Sequence, residues 1–100
     1  MHGLLDLGGT WFFNEGTKAL GPLLAANCND LWVGNNRGTV NSYRYVNDTL
    51  TDNDAKYWDF SFDEMGMYDL PAFVDFVLEH TQKEKLIYIG HSQGTTQFWI

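Results

Sequence analysis

The sequence lacks the residues on which several large classes of protein depend. It has one cysteine, Cys28, which excludes an internal disulfide and which we interpret as a small buried apolar residue. Its three histidines, His2, His80 and His91, do not have metal-ligand spacing, so we expect no metal site. Six Lys and Arg residues against thirteen Asp and Glu residues give a formal net charge of -7. Such a chain offers no basic surface for a phosphate backbone, and we expect no nucleic-acid partner.

Long apolar runs are also missing. No stretch reaches the roughly 18 residues needed to span a bilayer, and Met1-His2-Gly3 lacks the charged and apolar regions of a signal peptide. We therefore expect neither a transmembrane segment nor a targeting signal in this chain. The triplet Asn47-Asp48-Thr49 matches a glycosylation sequon, which would be used only in a secreted protein.

The composition is nevertheless that of a globular protein, with 44% hydrophobic and 16% aromatic residues. The spacing of apolar residues predicts a helix near residues 18–27, with Pro22 in its first turn. It predicts a second, amphipathic helix that ends near Thr81. The apolar face of this second helix consists of Leu70, Phe73, Val74, Val77 and Leu78.

The region between these two helices contains a polar stretch followed by a second set of helix signals. Residues 39–59 are polar and show no period, so we expect a surface excursion without regular structure. Ser61 and Asp63 are candidate N-caps of a helical segment that runs through Tyr68, and Pro71 can open or kink the next stretch.

Two short apolar runs, residues 30–34 and 86–89, are typical of buried parallel strands. Their alternation with helices predicts the α/β class, with parallel strands wrapped by helices. Two strands alone would leave unpaired edges and uncovered faces. We therefore expect residues 1–100 to be the N-terminal and central part of one larger domain, without its first strands and its C-terminal part.

The second run leads into Gly90-His91-Ser92-Gln93-Gly94, and residues 95–100 are predicted to continue as a helix. A G-x-S-x-G motif between a strand and a helix is the nucleophile-elbow pattern. So sharp a turn strains the backbone of the serine and leaves no room for side chains at Gly90 and Gly94. We predict that Ser92 is a nucleophile and that the Gln93 backbone N–H is one donor of an oxyanion hole.

A glycine-rich loop near the start of the chain is the candidate for the second donor. It contains His2-Gly3-Leu4-Leu5 and lies upstream of the elbow, with helices and a strand between them. In folds that use this elbow, the second oxyanion donor comes from the loop after an earlier strand. We predict that the Leu4 backbone N–H is that donor and that Gly3 supports the loop.

Five blocks carry a resemblance to a known family. They are His2-Gly3-Leu4-Leu5, residues 31–38 (LWVGNNRG), 57–65 (YWDFSFDEM), 68–72 (YDLPA) and 90–96 (GHSQGTT). In this order, and over essentially the whole chain, they resemble the acid lipase family of α/β-hydrolases, which includes gastric lipase, lysosomal acid lipase and the fungal steryl ester hydrolases.

The resemblance implies a serine ester hydrolase that cleaves triacylglycerols or steryl esters at a lipid–water interface through an acyl-enzyme. It implies Ser92 as the nucleophile, Leu4 and Gln93 as the oxyanion hole, and no cofactor. It also suggests a secreted, lysosomal or lipid-droplet and membrane-associated location. Cys28 stands where the family usually has glycine, which places the left-handed residue of that turn either there or at Asn29.

We expect structural rather than catalytic roles for three charged residues in these five blocks. We expect Arg37 to bind loop carbonyls or a carboxylate, Asp63 to cap a helix, and Glu64 to have no catalytic role.

The catalytic machinery is incomplete in this chain. In α/β-hydrolases an Asp or Glu and then a His follow the serine, whereas none of the six residues after Gly94 is acidic or His. His2, His80 and His91 are all better explained without a role as general base. We expect the 100 residues alone to be inactive. Two alternatives remain: a truncated or pseudo-hydrolase fragment without catalysis, and an esterase for small soluble esters.

Overall fold

The computed structural model of the chain describes residues 1–46 and 49–100, so the sequon residues Asn47 and Asp48 lie outside the described residues. Its α-helices are α1 (Leu20–Ala26), α2 (Phe62–Glu64), α3 (Leu70–Thr81) and α4 (Gln93–Gln97). Short 3-10 helices occupy Gly8–Phe12, Gly16–Lys18 and Ala55–Trp58, and a π-helical turn occupies Met65–Asp69.

Helix α1 confirms the prediction for residues 18–27, and Pro22 lies in its first turn. The helix ends in a left-handed residue: Cys28 has a φ of 60°, and the Asn29 N–H donates to the Leu24 carbonyl. This is the hydrogen bond of a Schellman cap, and Cys28 rather than Asn29 supplies its left-handed position. The Cys28 side chain is exposed. Its interpretation as a buried apolar residue is therefore wrong, because the cap turns this position out to solvent.

Helices α2 and α3 form one nearly continuous helix interrupted by the π turn Met65–Asp69. Ser61 is the N-cap: its Oγ accepts from the Asp63 N–H at 3.1 Å, while the Ser61 N–H donates to Glu64 Oε2 at 2.7 Å. These two bonds form a capping box. The expectation that Asp63 caps the helix is wrong, since Asp63 lies inside the first turn. Pro71 lies in the first turn of α3, where it needs no hydrogen-bond partner.

Helix α3 ends at Thr81, as predicted, and Gln82 follows with a φ of 55°. Its predicted apolar face is also confirmed, because Leu70 is buried and the other four members of that face are partly buried. The helix lies against the segment of residues 30–34. Trp32 makes edge contacts with the rings of Phe76 at 5.9 Å and His80 at 5.5 Å.

The two predicted strands do not form a hydrogen-bonded ladder anywhere in residues 1–46 and 49–100. Residues 30–34 and 86–89 run without helix or turn, and the predicted burial of these two runs is not observed, since none of their residues is buried. The backbone of the second segment pairs with Met1. The His91 N–H donates to the Met1 carbonyl at 3.1 Å, and the Met1 nitrogen donates to the Ile89 carbonyl. Two bonds that bracket Gly90 in this way have the register of a parallel pair. Met1 is the only described residue that pairs with this segment, and a single residue is too short to form a ladder.

Residues 39–59 contain more structure than expected. The 3-10 helix Ala55–Trp58 interrupts this region, and Tyr57 within it is buried. Tyr57 contacts the ring of Trp58 at 4.8 Å, and Gly38, with a φ of 78°, leaves room for Trp58 and Phe60. The expectation of an unstructured surface excursion is wrong here, because aromatic side chains without a helical or alternating period still form a local cluster.

The chain buries few apolar side chains. Among the described residues only Ala19, Tyr57 and Leu70 are buried members of a core, whereas Leu5, Ile87 and Trp99 are 99%, 87% and 83% exposed. None of the helices in the described part of the chain is both long and apolar enough to cross a membrane.

Candidate active site

Ser92 lies on the turn between the segment of residues 86–89 and helix α4. Its backbone has a φ of 51° and a ψ of -119°, which is a strained conformation for a residue with a side chain. The turn is closed by the Gly94 N–H, which donates to the His91 carbonyl at 2.9 Å, and by the Thr95 N–H, which donates to the Ser92 carbonyl at 2.8 Å. The predicted strain at Ser92 is therefore present, and the Ser92 side chain is exposed.

The two glycines of the motif are required by close backbone contacts. A Cβ atom built on Gly90 would lie 2.7 Å from the carbonyl group of Gly94, inside the start of α4. A Cβ atom on Gly94 would lie 2.6 Å from the Met1 carbonyl oxygen. The prediction that side chains at these positions would collide with the helix and with a neighbouring segment is confirmed.

The loop of His2-Gly3-Leu4-Leu5 lies directly against this turn. A Cβ atom on Gly3 would be 3.2 Å from the Ser92 Cβ atom and 3.2 Å from His91 Nδ1. Within residues 1–46 and 49–100, neither the Leu4 N–H nor the Gln93 N–H donates a hydrogen bond. The structure thus brings the loop of Leu4 to the serine and leaves both candidate donors free for an acceptor.

His2 is only 3% exposed, and its ring connects the loop to the segment after residue 34. Nδ1 lies 2.9 Å from the Gly3 carbonyl oxygen, and Nε2 accepts from the Asn36 N–H at 3.1 Å. The adjacent Asn35 holds the far side of the same loop, because its Oδ1 accepts from the Gly8 N–H at 2.9 Å. Sequence reasoning did not identify Asn35 and Asn36 as supports of the loop, and their only signal is membership of the block LWVGNNRG.

A cavity of about 220 Å³ opens beside the loop and is lined by Asp6, Thr10, Trp11 and His91. Burial raises the pKa of Asp6, but hydrogen bonds from the Leu7 N–H and the Thr10 hydroxyl outweigh it and hold the pKa below its usual value. Asp6 is therefore ionised over the neutral range and is engaged within its own loop.

Helix α4 is held from behind by residues that the motif does not include. Gln93 Nε2 and Gln97 Nε2 donate to Met65 Sδ at 3.5 and 3.3 Å, which joins the helix to the π turn. On the other side Tyr88 Oη donates to the Gly94 carbonyl at 2.6 Å. Burial raises the pKa of Tyr88 to about 12. Sequence reasoning missed Met65 and Tyr88 as supports, because apolar periodicity does not reveal such contacts.

The described part of the chain contains no histidine nitrogen in hydrogen-bond contact with Ser92 Oγ. His80 stacks on Phe76 at 5.4 Å, and both ring nitrogens of His2 are hydrogen-bonded to backbone groups.

Arg37 has a structural role, as expected: its guanidinium donates to both carboxylate oxygens of Asp69, with a shortest distance of 2.7 Å. This pairing raises the pKa of Arg37.

Comparisons with known proteins identify the family of the chain. The profile of the family described as the alpha/beta hydrolase fold matches residues 1–100. Over 95 residues, the chain is 48% identical to a putative lysosomal acid lipase/cholesteryl ester hydrolase of Crotalus adamanteus and 44% identical to the human lysosomal acid lipase/cholesteryl ester hydrolase. It is 43% identical to mouse gastric triacylglycerol lipase over the same length. The resemblance to acid lipases is confirmed. Each alignment covers 95% of this chain but only 23% or 24% of the relative, so the chain spans about a quarter of their length.

Proposed function

The chain belongs to the family of the alpha/beta hydrolase fold, and we propose that it is the part of a lipid ester hydrolase that carries the nucleophile, Ser92. The observation that carries this proposal is the strained backbone of Ser92, with the Gly3 loop packed directly against it. A turn of this kind costs stability, and strain of this kind clusters at functional sites.

The mechanism is acyl transfer through a covalent intermediate. Ser92 Oγ attacks the carbonyl carbon of the ester and transfers its proton to a histidine. The developing oxyanion accepts hydrogen bonds from the free Leu4 and Gln93 N–H groups. The alcohol then leaves with a proton from the histidine, and water hydrolyses the acyl-enzyme. No step requires a cofactor.

The histidine and its carboxylate come from another segment of the same domain in this proposal. Two observations support this. Ser92 has no histidine partner within the described residues, and large apolar side chains such as Ile87 and Trp99 are almost fully exposed. An apolar surface of this extent is typical of a partial core that further segments cover.

The proposed substrates are triacylglycerols or steryl esters at a lipid–water interface. The support is similarity to proteins named as a triacylglycerol lipase and as cholesteryl ester hydrolases. The competing interpretations are an esterase for small soluble esters and a fragment without catalysis.

Covalent labelling with a fluorophosphonate tests the nucleophile. The experiment uses the complete polypeptide that contains this segment, with Ser92→Ala as the test variant and Ser42→Ala as the matched control. We expect labelling of the natural protein and of Ser42→Ala, and none of Ser92→Ala. Labelling that persists in Ser92→Ala would overturn the assignment, and absence of labelling in the natural protein would favour the fragment without catalysis.

The substrate class needs a second assay. A chain-length series of p-nitrophenyl esters, measured with and without detergent micelles, separates a lipase from an esterase. We expect turnover to rise with acyl length and with micelles. Preference for short esters that micelles do not change would contradict the lipid substrate and leave the serine mechanism intact.

A further inference from the structure

The two ring nitrogens of buried His2 have different partners, and this fixes their roles. A backbone N–H can only donate, so His2 Nε2, which faces the Asn36 N–H at 3.1 Å, must carry the lone pair. The ring proton of the neutral imidazole is then on Nδ1. From there it donates to the Gly3 carbonyl oxygen at 2.9 Å.

The Gly3 carbonyl belongs to the same peptide group as the Leu4 N–H. A peptide group is planar and trans, so its C=O and N–H bonds point in opposite directions. A hydrogen bond that holds the Gly3 oxygen toward His2 therefore also fixes the direction of the Leu4 N–H, on the opposite edge of the plane. This N–H has no acceptor among the described residues, and its loop contacts Ser92.

We infer that His2 is a positioning residue that orients and polarises the Leu4 N–H for the oxyanion. The inference rests on the proposed function and deepens it, because it explains how one loop amide is prepared for the transition state. Chains of hydrogen bonds polarise one another, so donation to the Gly3 oxygen makes the Leu4 N–H a stronger donor. The chain of bonds runs from the Asn36 N–H through the His2 ring to the Gly3–Leu4 peptide.

The chain of bonds connects the exposed tip of the loop to a buried segment. Leu4 and Leu5 are 68% and 99% exposed, and Leu5 has a φ of 55°. The other end of the chain of bonds is buried by contrast, since Asn36 is 1% exposed and the adjacent Asn35 accepts from the Gly8 N–H. The His2 ring therefore connects the buried Asn36 backbone to the Gly3–Leu4 peptide of the exposed loop.

Two isosteric variants separate the functions of the two ring nitrogens. In His2→Asn the amide nitrogen replaces Nδ1 and keeps the bond to Gly3 while the bond from Asn36 is lost. In His2→Gln the amide oxygen replaces Nε2 and keeps the bond from Asn36 while the bond to Gly3 is lost. Each variant thus loses one hydrogen bond, and thermal unfolding of both verifies that they fold.

We expect kcat of His2→Gln to fall by about 10²-fold with KM nearly unchanged, the size of effect seen when one oxyanion donor is removed. His2→Asn should retain kcat at least tenfold higher than His2→Gln, even where it is the less stable protein. Equal kcat values, or values that simply follow stability, would overturn the inference. The natural protein is labelled with the fluorophosphonate in parallel. If it is not labelled, the proposed function fails; if it is labelled but the two variants agree, only the role of His2 fails.

A measurement without substrate provides the second test. Nitrogen-15 NMR of the imidazole distinguishes the two neutral tautomers, and we expect the proton of His2 on Nδ1. A proton on Nε2 would contradict the donation to Gly3 and overturn the inference independently of any activity.

Discussion

Tyr88 Oη donates a 2.6 Å hydrogen bond to the Gly94 carbonyl and so joins the two sides of the turn that presents Ser92. Tyr88 precedes the turn, whereas Gly94 lies in the first turn of helix α4. The tyrosine ring also stacks on Phe98 at 5.5 Å, one helical turn beyond Gly94. The Tyr88 side chain therefore holds the segment of residues 86–89 close to helix α4. Glycine at position 90 permits the same close approach, because a Cβ atom there would collide with Gly94.

The first prediction removes this hydrogen bond. Tyr88→Phe keeps the ring stack on Phe98 but leaves the Gly94 carbonyl without its hydroxyl donor. We expect a loss of about 1–2 kcal/mol in the free energy of unfolding, measured by denaturant titration of the complete polypeptide. Phe98→Leu is the matched control, since it weakens the stack and keeps the bond. An unchanged midpoint for Tyr88→Phe would show that solvent replaces the hydroxyl without cost.

The second prediction concerns the stability of the protein at alkaline pH, which depends on Tyr88. Burial raises the pKa of Tyr88 from its usual value of 10.0 to about 12 in the folded protein. The unfolded state therefore loses this proton first as the pH rises. The stability contributed by Tyr88 is complete below pH 10 and is lost as the pH approaches 12. Thermal unfolding across this range should show a steeper decline in the natural protein than in Tyr88→Phe, and parallel curves would contradict the assignment.

The third prediction concerns the space between Gly3 and Ser92. A Cβ atom on Gly3 already lies 3.2 Å from Ser92 Cβ, so the two methyl groups of Gly3→Val must displace the loop from the serine. We expect turnover to fall by about 10²–10³-fold through loss of the proposed Leu4 donor, or about 2.7–4 kcal/mol of transition-state stabilisation. Gly9→Ala is the control, because its added Cβ meets only the flexible end of Leu7. An unchanged rate for Gly3→Val would place the second oxyanion donor elsewhere.

The helices could be predicted from the sequence because their information is local. Apolar spacing gave α1 and α3, including the end of α3 at Thr81 and the partial burial of Phe73 and Val77. Strands depend on partners that are distant in sequence. The segment of residues 86–89 pairs only with Met1, so no ladder forms within the described residues and the run is not buried.

The candidate site likewise has features that are local in sequence, which could be predicted, and contacts made by side chains outside the motif, which could not. The strain at Ser92 and the contacts at Gly90 and Gly94 followed from the motif, because a sharp turn has one steric solution. The side chains that hold the turn and the neighbouring loop could not be predicted in this way. Tyr88 donates to the Gly94 carbonyl, and Asn35 accepts from the Gly8 N–H, through contacts that no period or spacing encodes. Only a structure identifies such pairs.

The capping box of α2 gives a prediction for acid pH. The Ser61 N–H and hydroxyl both donate to Glu64 Oε2, and these bonds lower the pKa of Glu64 below its usual value of 4.5. A lowered pKa contributes stability above pH 4.5 that is lost as the pH falls through the folded value. Glu64→Gln keeps a capping-box acceptor and cannot titrate. Its melting temperature should therefore fall less than that of the natural protein below pH 4.5, and an identical decline would contradict the box.

The last prediction uses the left-handed residue at the end of α1. Cys28 holds a φ of 60° with an exposed side chain, so its Cβ atom contributes strain without burial. Left-handed geometry costs a residue with a side chain about 1–2 kcal/mol, and the greater flexibility of unfolded glycine offsets about 0.5–1 of this. We therefore expect Cys28→Gly to stabilise the protein by about 0.5–1 kcal/mol and to raise its melting temperature. Cys28→Ala keeps the Cβ atom and should give no gain. A gain shared equally by both variants would show that the thiol, rather than the backbone, is the source of the strain.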